Sequence, residues 1–502
     1  MERKVIDTGP RVVLRNWFNK PFDDAIAAAR TCYSSRVIST EEVTEKQRKN
    51  IGKSTYEGGH HTIFQHATFE FAIEGVSRNL VHELHSHPFY NTSQSSQRYV
   101  KLKEVRATIL PLKGRNLKIY KDGITRAWER YDELTEILLK KLIEIQEKKP
   151  TERQIKALEK KAIESARYVI PLAAHVSMVH TLNGITLFRL NKLRMSGNVP
   201  WESNIVISKM VEQVKKIDPL FFERFEDPIP MKETLEYKFY EKFKQFVSRK
   251  IVEKFDESLE GYRSKLVDWK INAEKIMADA IRHVMGMSDI DDEALDFVLN
   301  PKKNPYLTEK LNLSTVSPLM RTMNHPHFTF RKKISHSCDA QDQRHRMTPA
   351  SRPMMIFSDV EKPDYITPTF IKETAEANKI FDEWMKEVWE IKNTLVSNGV
   401  KLEFANYILP NAQALRFEES GSLLNLWHKW VLRLCTRSQR EIWEVSREEV
   451  EQVKKVQPKL VEYLGPKCFL RKIAGIKPYC PEGELTCGKP IWDTYPEMEY
   501  IG

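Results

Sequence analysis

The sequence contains the same landmarks twice in the same order, and this repetition restricts the possible folds more than any other feature. The stretch "ESARYVIP" ends at Pro171 and "EFANYILP" ends at Pro410. An earlier stretch, "FQHATFEF", likewise matches "MNHPHFTF" and places His66 opposite His325. Collinear matches of this kind predict a tandem duplication in which both copies fold as similar units.

Each copy shows the same coarse order of elements. The alternating stretches "TFEFAIEG" and "HFTFRKKI" predict half-buried strands, because the side chains of a strand point alternately to its two faces. A polar loop follows in each copy. Next come "GITRAWERYDELTEILLKKLIEIQ" and "FIKETAEANKIFDEWMKEVWEIKNTL", whose apolar residues recur at helical spacing. The pattern predicts an α+β fold, with each copy a β-sheet packed with long helices.

The repeat also suggests domain boundaries. We predict a first domain over residues 1–228 and a second over residues 276–502, the latter with a cysteine-containing tail. Residues 229–275 are highly charged and contain no Gly/Ser-rich stretch, so we predict a helical connector there. The length of 502 residues agrees with more than one domain.

Composition limits the class of protein. With 41% hydrophobic residues the chain can bury substantial cores, and its net charge of +11 favours anionic partners such as nucleotides or phosphorylated cofactors. It has no apolar run of membrane-spanning length and no apolar stretch typical of a signal peptide at its start. Six cysteines in a chain of this length argue against a secreted disulfide scaffold. We therefore expect a cytoplasmic protein with no membrane partner.

The polar loops that follow the predicted strands differ between the copies. The first reads "HELHSHPFYNTSQSSQRYV" and includes Ser96 and Arg98, whereas the second reads "SHSCDAQDQRHRMTPASRP" and includes Arg344-His345-Arg346. Arginine forks suit a pyrophosphate or an anionic ring edge, and a hydroxyl beside a guanidinium suits a nucleotide phosphate. Taken alone, each set would be an ordinary solvated loop.

Together the loops resemble the motif of the flavin-dependent (alternative) thymidylate synthases, R-H-R-x-x-S-x-N-E-x-S-x-R-Y, which follows an F-x-F strand. The second copy keeps Arg344, His345 and Arg346 but lacks the Asn-Glu pair. The first copy reads "HSH" at that position and keeps Ser96-x-Arg98-Tyr. The chain is thus similar to two family domains with complementary partial motifs, and a fused pair of this kind could retain fewer but complete sites.

This resemblance implies binding roles for individual residues and no metal ligand, and it leaves the catalytic side chain unassigned. Trp443 stands where many members have an arginine credited with ionising the pyrimidine, and Ser177 stands at the position matching Arg416. The implied cofactor-binding residues are Arg344, His345, Arg346, Arg433, Arg437 and His325. The implied substrate-binding residues are Ser96, Arg98, Gln94, Gln341 and Arg416.

Some of these residues have a purely structural alternative. His325 fits the edge of a flavin site and equally fits a hydrogen-bonded core histidine. Arg433, like Arg194 in the first copy, could instead pair with a glutamate about two turns further on, Glu441 or Glu202.

Three cysteines, Cys468, Cys480 and Cys487, lie in the last 35 residues. Their Cys-Pro and Cys-Gly pairs resemble zinc-knuckle turns, but no fourth ligand is evident and the C-x6-C spacing is not a standard one. Buried thiols are the favoured interpretation, and structural zinc is the alternative. Cys338 and Cys435 lack the sequence context of a nucleophile, so we expect a flavin rather than a protein thiol to carry the redox chemistry.

The resemblance implies an enzyme, a flavin-dependent methyltransferase of nucleotide biosynthesis. FAD would accept hydride from NADPH, methylenetetrahydrofolate would supply the methylene group, and C5 of dUMP would receive it to give dTMP. The implied assembly is a homodimer of fused pairs that mimics the family's tetramer. The alternatives are a flavoenzyme acting on another pyrimidine nucleotide, and a non-catalytic basic nucleotide- or RNA-binding protein on the same scaffold. Nucleic acid is not the expected partner.

Overall fold

A computed structural model describes residues 3–146, 148–222, 226–248, 250–357 and 360–500. The chain divides into two compact units. The first consists of Met1–Val247, Met354–Pro363 and Lys379–Asn411, and the second of Ser248–Pro353, Asp364–Asn378 and Ala412–Gly502. Part of the second sequence copy therefore belongs to the first unit. The domain boundaries given above stay a prediction about the repeats.

Each unit contains an antiparallel sheet. The sheet of the first unit has the strand order β1-β2-β4-β3, and that of the second has the order β5-β6-β7. Both strands predicted from alternation are present, as β2 and β6. The described strands are β1 (Arg11–Trp17), β2 (Thr68–Ser77), β3 (Asn91–Gln94), β4 (His175–Asn183), β5 (Ser264–Trp269), β6 (His327–Ser335) and β7 (Ala414–Ser422).

Helices make up most of the remaining regular structure, which confirms the α+β prediction. The first nine along the described chain are α1 (Pro21–Thr31), α2 (Glu45–Glu57), α3 (Arg78–Leu84), α4 (Gly114–Glu144), α5 (Glu152–Ala166), α6 (Gly184–Leu193), α7 (Pro200–Ile217), α8 (Pro219–Phe222) and α9 (Leu235–Phe243). Those that follow are α10 (Lys250–Ser258), α11 (Ala273–Met285), α12 (Asp291–Leu299), α13 (His336–Asp342), α14 (Thr369–Lys372), α15 (Ala375–Ser397), α16 (Leu402–Ala405), α17 (Leu423–Arg433), α18 (Arg440–Val456), α19 (Pro458–Val461), α20 (Lys467–Ile473) and α21 (Ile491–Thr494).

The register of the central strands reproduces the duplication residue by residue. Thr68 of β2 lies opposite Asn183 of β4, and His327 of β6 lies opposite Ser422 of β7. These pairs occupy equivalent positions in the two sequence copies. Because a slip of one residue would turn every side chain to the other face of the sheet, matching registers mean that the same positions face the core in both copies.

The edge of the sheet differs between the units at the loops that carry the candidate site. In the first unit β3 pairs with β4 and places Gln94 opposite Met178. In the second unit the corresponding chain makes an isolated bridge between Ala350 and Glu419. Pro349 precedes that bridge closely, and proline has no N–H to donate to a ladder. The second copy therefore keeps a loop where the first has an edge strand.

The segment between the copies is helical only in part. Helices α9 and α10 lie within residues 229–275, but Ser264–Trp269 form strand β5, so the helical prediction is wrong there. The reason is visible in "SKLVDW", where Ser264 and Leu266 are buried while Lys265 and Val267 are only partly buried. This alternation suits a strand, and Leu266 lies opposite Phe330 of β6.

In the first unit the two repeated signatures pair with each other. The Leu172 N–H donates to the carbonyl of Leu409 at 2.8 Å, and the Asn411 N–H donates to the carbonyl of Ile170 at 2.8 Å. Exchanging the copies turns one of these bonds into the other, so the contact is self-complementary, as in a twofold interface. Helices α4 and α15 pack nearby, since a Cβ on Gly123 would lie 3.2 Å from the Ile391 side chain.

Candidate functional site

In both copies the strand leads directly into a short capped helix that begins the polar loop. In the second copy the Ser335 hydroxyl accepts the Cys338 N–H at 2.9 Å and donates to Glu441 at 2.6 Å. In the first copy the Ser77 hydroxyl has the same role toward Glu202, at 2.5 Å. Serine at an N-cap satisfies a helix N–H that otherwise has no partner. The duplicated glutamates thus fix the start of each loop helix.

The Arg-His-Arg loop is held through its histidine. Arg433 Nε donates to His345 Nε2 at 2.9 Å, and Arg433 Nη2 donates to the carbonyl of Gln341 at 3.0 Å. A guanidinium can only donate, so Nε2 accepts and the proton of the neutral ring lies on Nδ1. Burial, followed by the charges of Arg433 and Lys429, lowers the pKa of His345 well below its ordinary value. The structure thus brings Gln341, His345 and Arg433 together around a neutral imidazole.

The two arginines of the motif lie on either side of this histidine, and both are exposed. Arg437, in the loop after α17, is exposed as well. His325 is also exposed, so its interpretation as a core histidine is wrong. The loop therefore presents Arg344 and Arg346 to solvent, where an anionic ligand could reach them.

Arg416 lies on β7 and is already held by two carboxylates. Its Nε and Nη2 donate to Asp256 at 2.7 and 2.8 Å, and its Nη1 and Nη2 donate to Asp364 at 2.6 and 2.9 Å. Four of its five N–H groups are used in this way. Without displacing one of these carboxylates, a nucleotide phosphate could accept only from the remaining Nη1–H. Its assignment to the substrate stays a prediction.

The first copy places its phosphate-binding candidates in a tight turn after β3. The Ser96 hydroxyl accepts the N–H of Arg98 at 3.2 Å. The Arg98 guanidinium forms an ion pair with Glu164 and lies 5.2 Å from the centre of the Tyr99 ring. Gln94 ends the strand, and its Oε1 is buried without a hydrogen-bond partner. The turn therefore holds a hydroxyl and a guanidinium close together in the chain, as the sequence predicts.

A cavity of about 450 Å³ in the first unit adjoins this turn. Its lining includes the hydroxyls of Ser95 and Ser177 and the basic side chains of Arg11, Arg106 and His175. Glu74 also lines the cavity and pairs with Arg11, so the lining carries charges of both signs. The sequence comparison singled out Ser177 only as the position matching Arg416, and the structure adds the basic residues around it.

Burial disfavours the reactive thiolate at Cys338 and Cys468. Cys338 lies just before the Arg-His-Arg loop but is completely buried, and burial raises its pKa well above the ordinary value. In the tail, burial and then the neighbouring Cys435, Cys480 and Cys487 raise the pKa of Cys468 to about 12. Cys435 is thus the fourth cysteine of this group. Across the described ranges, however, no three histidine, cysteine or carboxylate side chains are placed to hold a metal ion together.

Sequence reasoning missed one group of residues close to the loop, which we call the buried charge cluster. The missed signal was Lys332, which shares the inward face of β6 with Phe328 and Phe330, where an apolar residue is expected. Each member is at most 1% exposed. The cluster consists of Lys332, Asp342, Glu419, Lys429 and Glu449.

Comparison with known proteins identifies the family. A family model described as "Thymidylate synthase complementing protein" matches residues 13–220 and 265–459, together more than half of the chain. The chain belongs to this family. The two matched segments confirm the tandem duplication that the repeated landmarks predict.

Curated relatives agree with this family membership. A flavin-dependent thymidylate synthase of Clostridium tetani is 32% identical over 220 residues, which are 43% of this chain and 86% of the relative. One from Nitratidesulfovibrio vulgaris is 32% identical over 230 residues, with the same two shares. Each relative is therefore matched by less than half of this chain. Because both relatives are named as enzymes, the prediction that the chain belongs to an enzyme family is confirmed. Within the described ranges no helix is long and apolar enough to cross a bilayer.

Proposed function

We propose that the chain is a FAD-dependent enzyme that converts dUMP to dTMP, with methylenetetrahydrofolate as the methylene donor and NADPH as the source of hydride. The observation that carries the proposal is the Arg-His-Arg loop, whose histidine is fixed by Arg433 in a chain of this family. The two relatives described above are named flavin-dependent thymidylate synthases.

The donors of the loop fit a flavin. Exposed Arg344 and Arg346 offer guanidinium groups to a pyrophosphate or to the anionic edge of a reduced ring, and neutral His345 offers its Nδ1–H. His325 and Arg437 are the further residues that we assign to the cofactor. When bound, FAD would supply the hydride transfer. The protein would bind the cofactor, orient it and hold the His345 ring in one tautomer.

We assign the nucleotide to Ser96, Arg98, Gln94, Gln341 and Arg416. A phosphate carries more charge than a carboxylate and accepts a bidentate guanidinium, so it can replace Glu164 as the partner of Arg98. The adjacent Ser96 hydroxyl would donate a further hydrogen bond. Gln94 has an unsatisfied amide oxygen that an N–H of the ligand would satisfy.

One observation favours the alternative of a different pyrimidine nucleotide as substrate. Trp443 is 4% exposed, and its Nε1 donates to the carbonyl of Leu434 at 3.1 Å. An indole in this setting cannot ionise a pyrimidine as an arginine could. Purified protein supplied with dUMP or UMP, each with methylenetetrahydrofolate and NADPH, would distinguish the two substrates by the methylated product.

We further propose a cytoplasmic homodimer of fused pairs that stands in for the family tetramer. The self-complementary contact of the two signatures supports the fused pair within this assembly, because it is the contact that two separate copies would make around a twofold axis. Light scattering of the purified protein should then give twice the chain mass of 58.9 kDa.

Flavin content tests the function directly. The purified protein should be yellow, and Arg346→Ala should weaken FAD binding about tenfold to hundredfold, the loss of one charge-assisted hydrogen bond. Arg447→Ala is the control, because Arg447 lies on α18 and pairs with Glu451. A colourless wild-type protein that cannot be loaded with FAD, and that fails to support a thymidine-requiring host, would refute the proposal.

A further inference from the structure

The buried charge cluster joins five elements of the second unit, namely β6, α13, β7, α17 and α18. Lys332 Nζ on β6 lies 3.0 Å from Asp342 and 2.8 Å from Glu449. Lys429 Nζ on α17 lies 2.7 Å from Asp342 and 2.5 Å from Glu419. Asp342, the last residue of α13, thus receives both ammonium groups. Each lysine also lies within ion-pair distance of both Glu419 and Glu449.

Such a group of charges is costly to bury and is tolerated only when every member is paired. Two ammonium groups face three carboxylates, and neutral donors help to satisfy the latter. Trp430 Nε1 donates to Glu449 at 2.7 Å, and the Ser264 hydroxyl donates to the same residue at 2.9 Å. Removing one lysine would leave three buried carboxylates to share a single ammonium group, and such an uncompensated charge disturbs the residues bound to it.

The cluster is connected by hydrogen bonds to both ends of the Arg-His-Arg loop. At the start, the Asp342 carboxylate binds the lysines while its carbonyl accepts the His345 N–H at 3.0 Å. At the end, the Thr348 hydroxyl donates to Glu419 at 2.9 Å, and the Thr348 N–H donates to the carbonyl of His345 at 3.0 Å. The loop between Asp342 and Thr348 is therefore anchored on both sides of its exposed arginines.

The first copy lacks both the cluster and the motif. The matching strand registers equate Lys332 with Ile73 and Glu419 with His180, and these two residues of the first copy are also completely buried. Burial lowers the pKa of His180 to about 3, so this position is neutral at pH 7. The positions of Lys332 and Glu419 are thus charged in the copy that keeps Arg-His-Arg and uncharged in the copy that reads His-Ser-His.

We propose that the buried charge cluster is a positioning device, which fixes the Arg-His-Arg loop in the conformation that binds its ligand. The identity of that ligand as a flavin rests on the proposed function. None of the five side chains needs to touch the ligand. They act through the loop backbone and through His345, so they are positioning residues and not catalytic ones.

The test uses the full chain with Lys429→Met, which removes one ammonium group with little change in side-chain length. Hydrogen exchange of the peptide spanning residues 342–348 should accelerate about tenfold, and FAD should dissociate about tenfold more readily. Lys429→Arg keeps the charge and should restore part of both properties. The control is Lys392→Met, which removes an equally buried lysine from the first unit and should leave both unchanged.

A second variant keeps the test decisive if Lys429→Met does not fold. Thr348→Val removes the hydroxyl, which lies within hydrogen-bonding distance of Glu419 and of the His345 carbonyl, leaves all charges in place, and should change both readouts in the same direction. The proposal is overturned if folded variants show unchanged loop exchange and FAD affinity, or if exchange rises equally throughout the second unit. Faster loop exchange in a protein that never binds FAD would support the positioning role and refute the proposed function.

Discussion

Cys338 is the residue at which the participation of a protein thiol in the chemistry can be tested. It is completely buried with a raised pKa, whereas Cys32 is exposed. We expect iodoacetamide to label Cys32 in the native protein and Cys338 only after unfolding, because the thiolate is the reactive species. Cys338→Ala should keep kcat within about twofold, since a flavin would supply the redox chemistry. An inactive but folded variant, assayed beside Cys32→Ala, would point to thiol chemistry instead.

His180 should make the protein sensitive to acid. Burial, and secondarily His87, lowers its pKa from 6.5 to about 3, so the unfolded chain binds a proton more readily than the folded one. Stability is therefore lost as pH falls below about 6.5, by about 2 kcal/mol at pH 5 from this group. His180→Leu should reduce the fall in Tm between pH 7.5 and pH 5, whereas exposed His66→Leu should not. Equal falls in all three proteins would contradict this.

At the candidate site, the sequence suggests a role where residue type alone points to the chemistry. Arg344 and Arg346 could be proposed as ligand-binding residues because clustered guanidinium groups suggest an anionic ligand, and the structure shows that both are exposed. Lys332 could not, because a lysine in a strand usually lies in solvent, and its burial depends on Asp342 and Lys429, which distant parts of the fold bring to it. The ion-pair partners of Arg416, Asp256 and Asp364, could not be predicted for the same reason.

Among elements, the capped helices α3 and α13 give a matched pair of stability tests. Ser77→Ala and Ser335→Ala each remove an N-cap and a hydrogen bond to a buried glutamate. Each should lower the free energy of unfolding by about 1–3 kcal/mol, measured by urea denaturation. Ser314→Ala, at an exposed turn, should cost less than about 0.5 kcal/mol. Equal midpoints for all three variants would mean that the caps contribute nothing.

A helix or strand could be predicted where the spacing of apolar residues in the sequence clearly reflects which side chains are buried. Strands β2 and β6 and helix α4 alternate or repeat over many residues, so the pattern identifies them. Strand β5 has only six residues beside a strongly charged helical segment, and the surrounding charge masked its alternation. Strand β3, "NTSQ", is entirely polar, and only its pairing with β4 makes it a strand.

For the whole molecule, the two copies should contribute different binding functions. Arg98→Ala should raise the nucleotide KM about tenfold to hundredfold with FAD still bound, because it removes a phosphate contact. Arg346→Ala should lower FAD content first. Absorbance spectra and steady-state kinetics on both variants separate the two effects. If both variants lose flavin equally, or neither changes either quantity, the copies do not divide binding in this way.

The pairing of the two signatures also bears on how the chain is made. Leu172 bonds to Leu409, so the first compact unit needs residues that the ribosome adds more than 200 positions later. At roughly 5–20 residues per second, the wait between residues 247 and 411 is on the order of ten to thirty seconds. During this time α4 lacks its packing contact with Ile391 of α15. A nascent chain with an apolar helix face exposed for so long is a natural client for ribosome-associated chaperones.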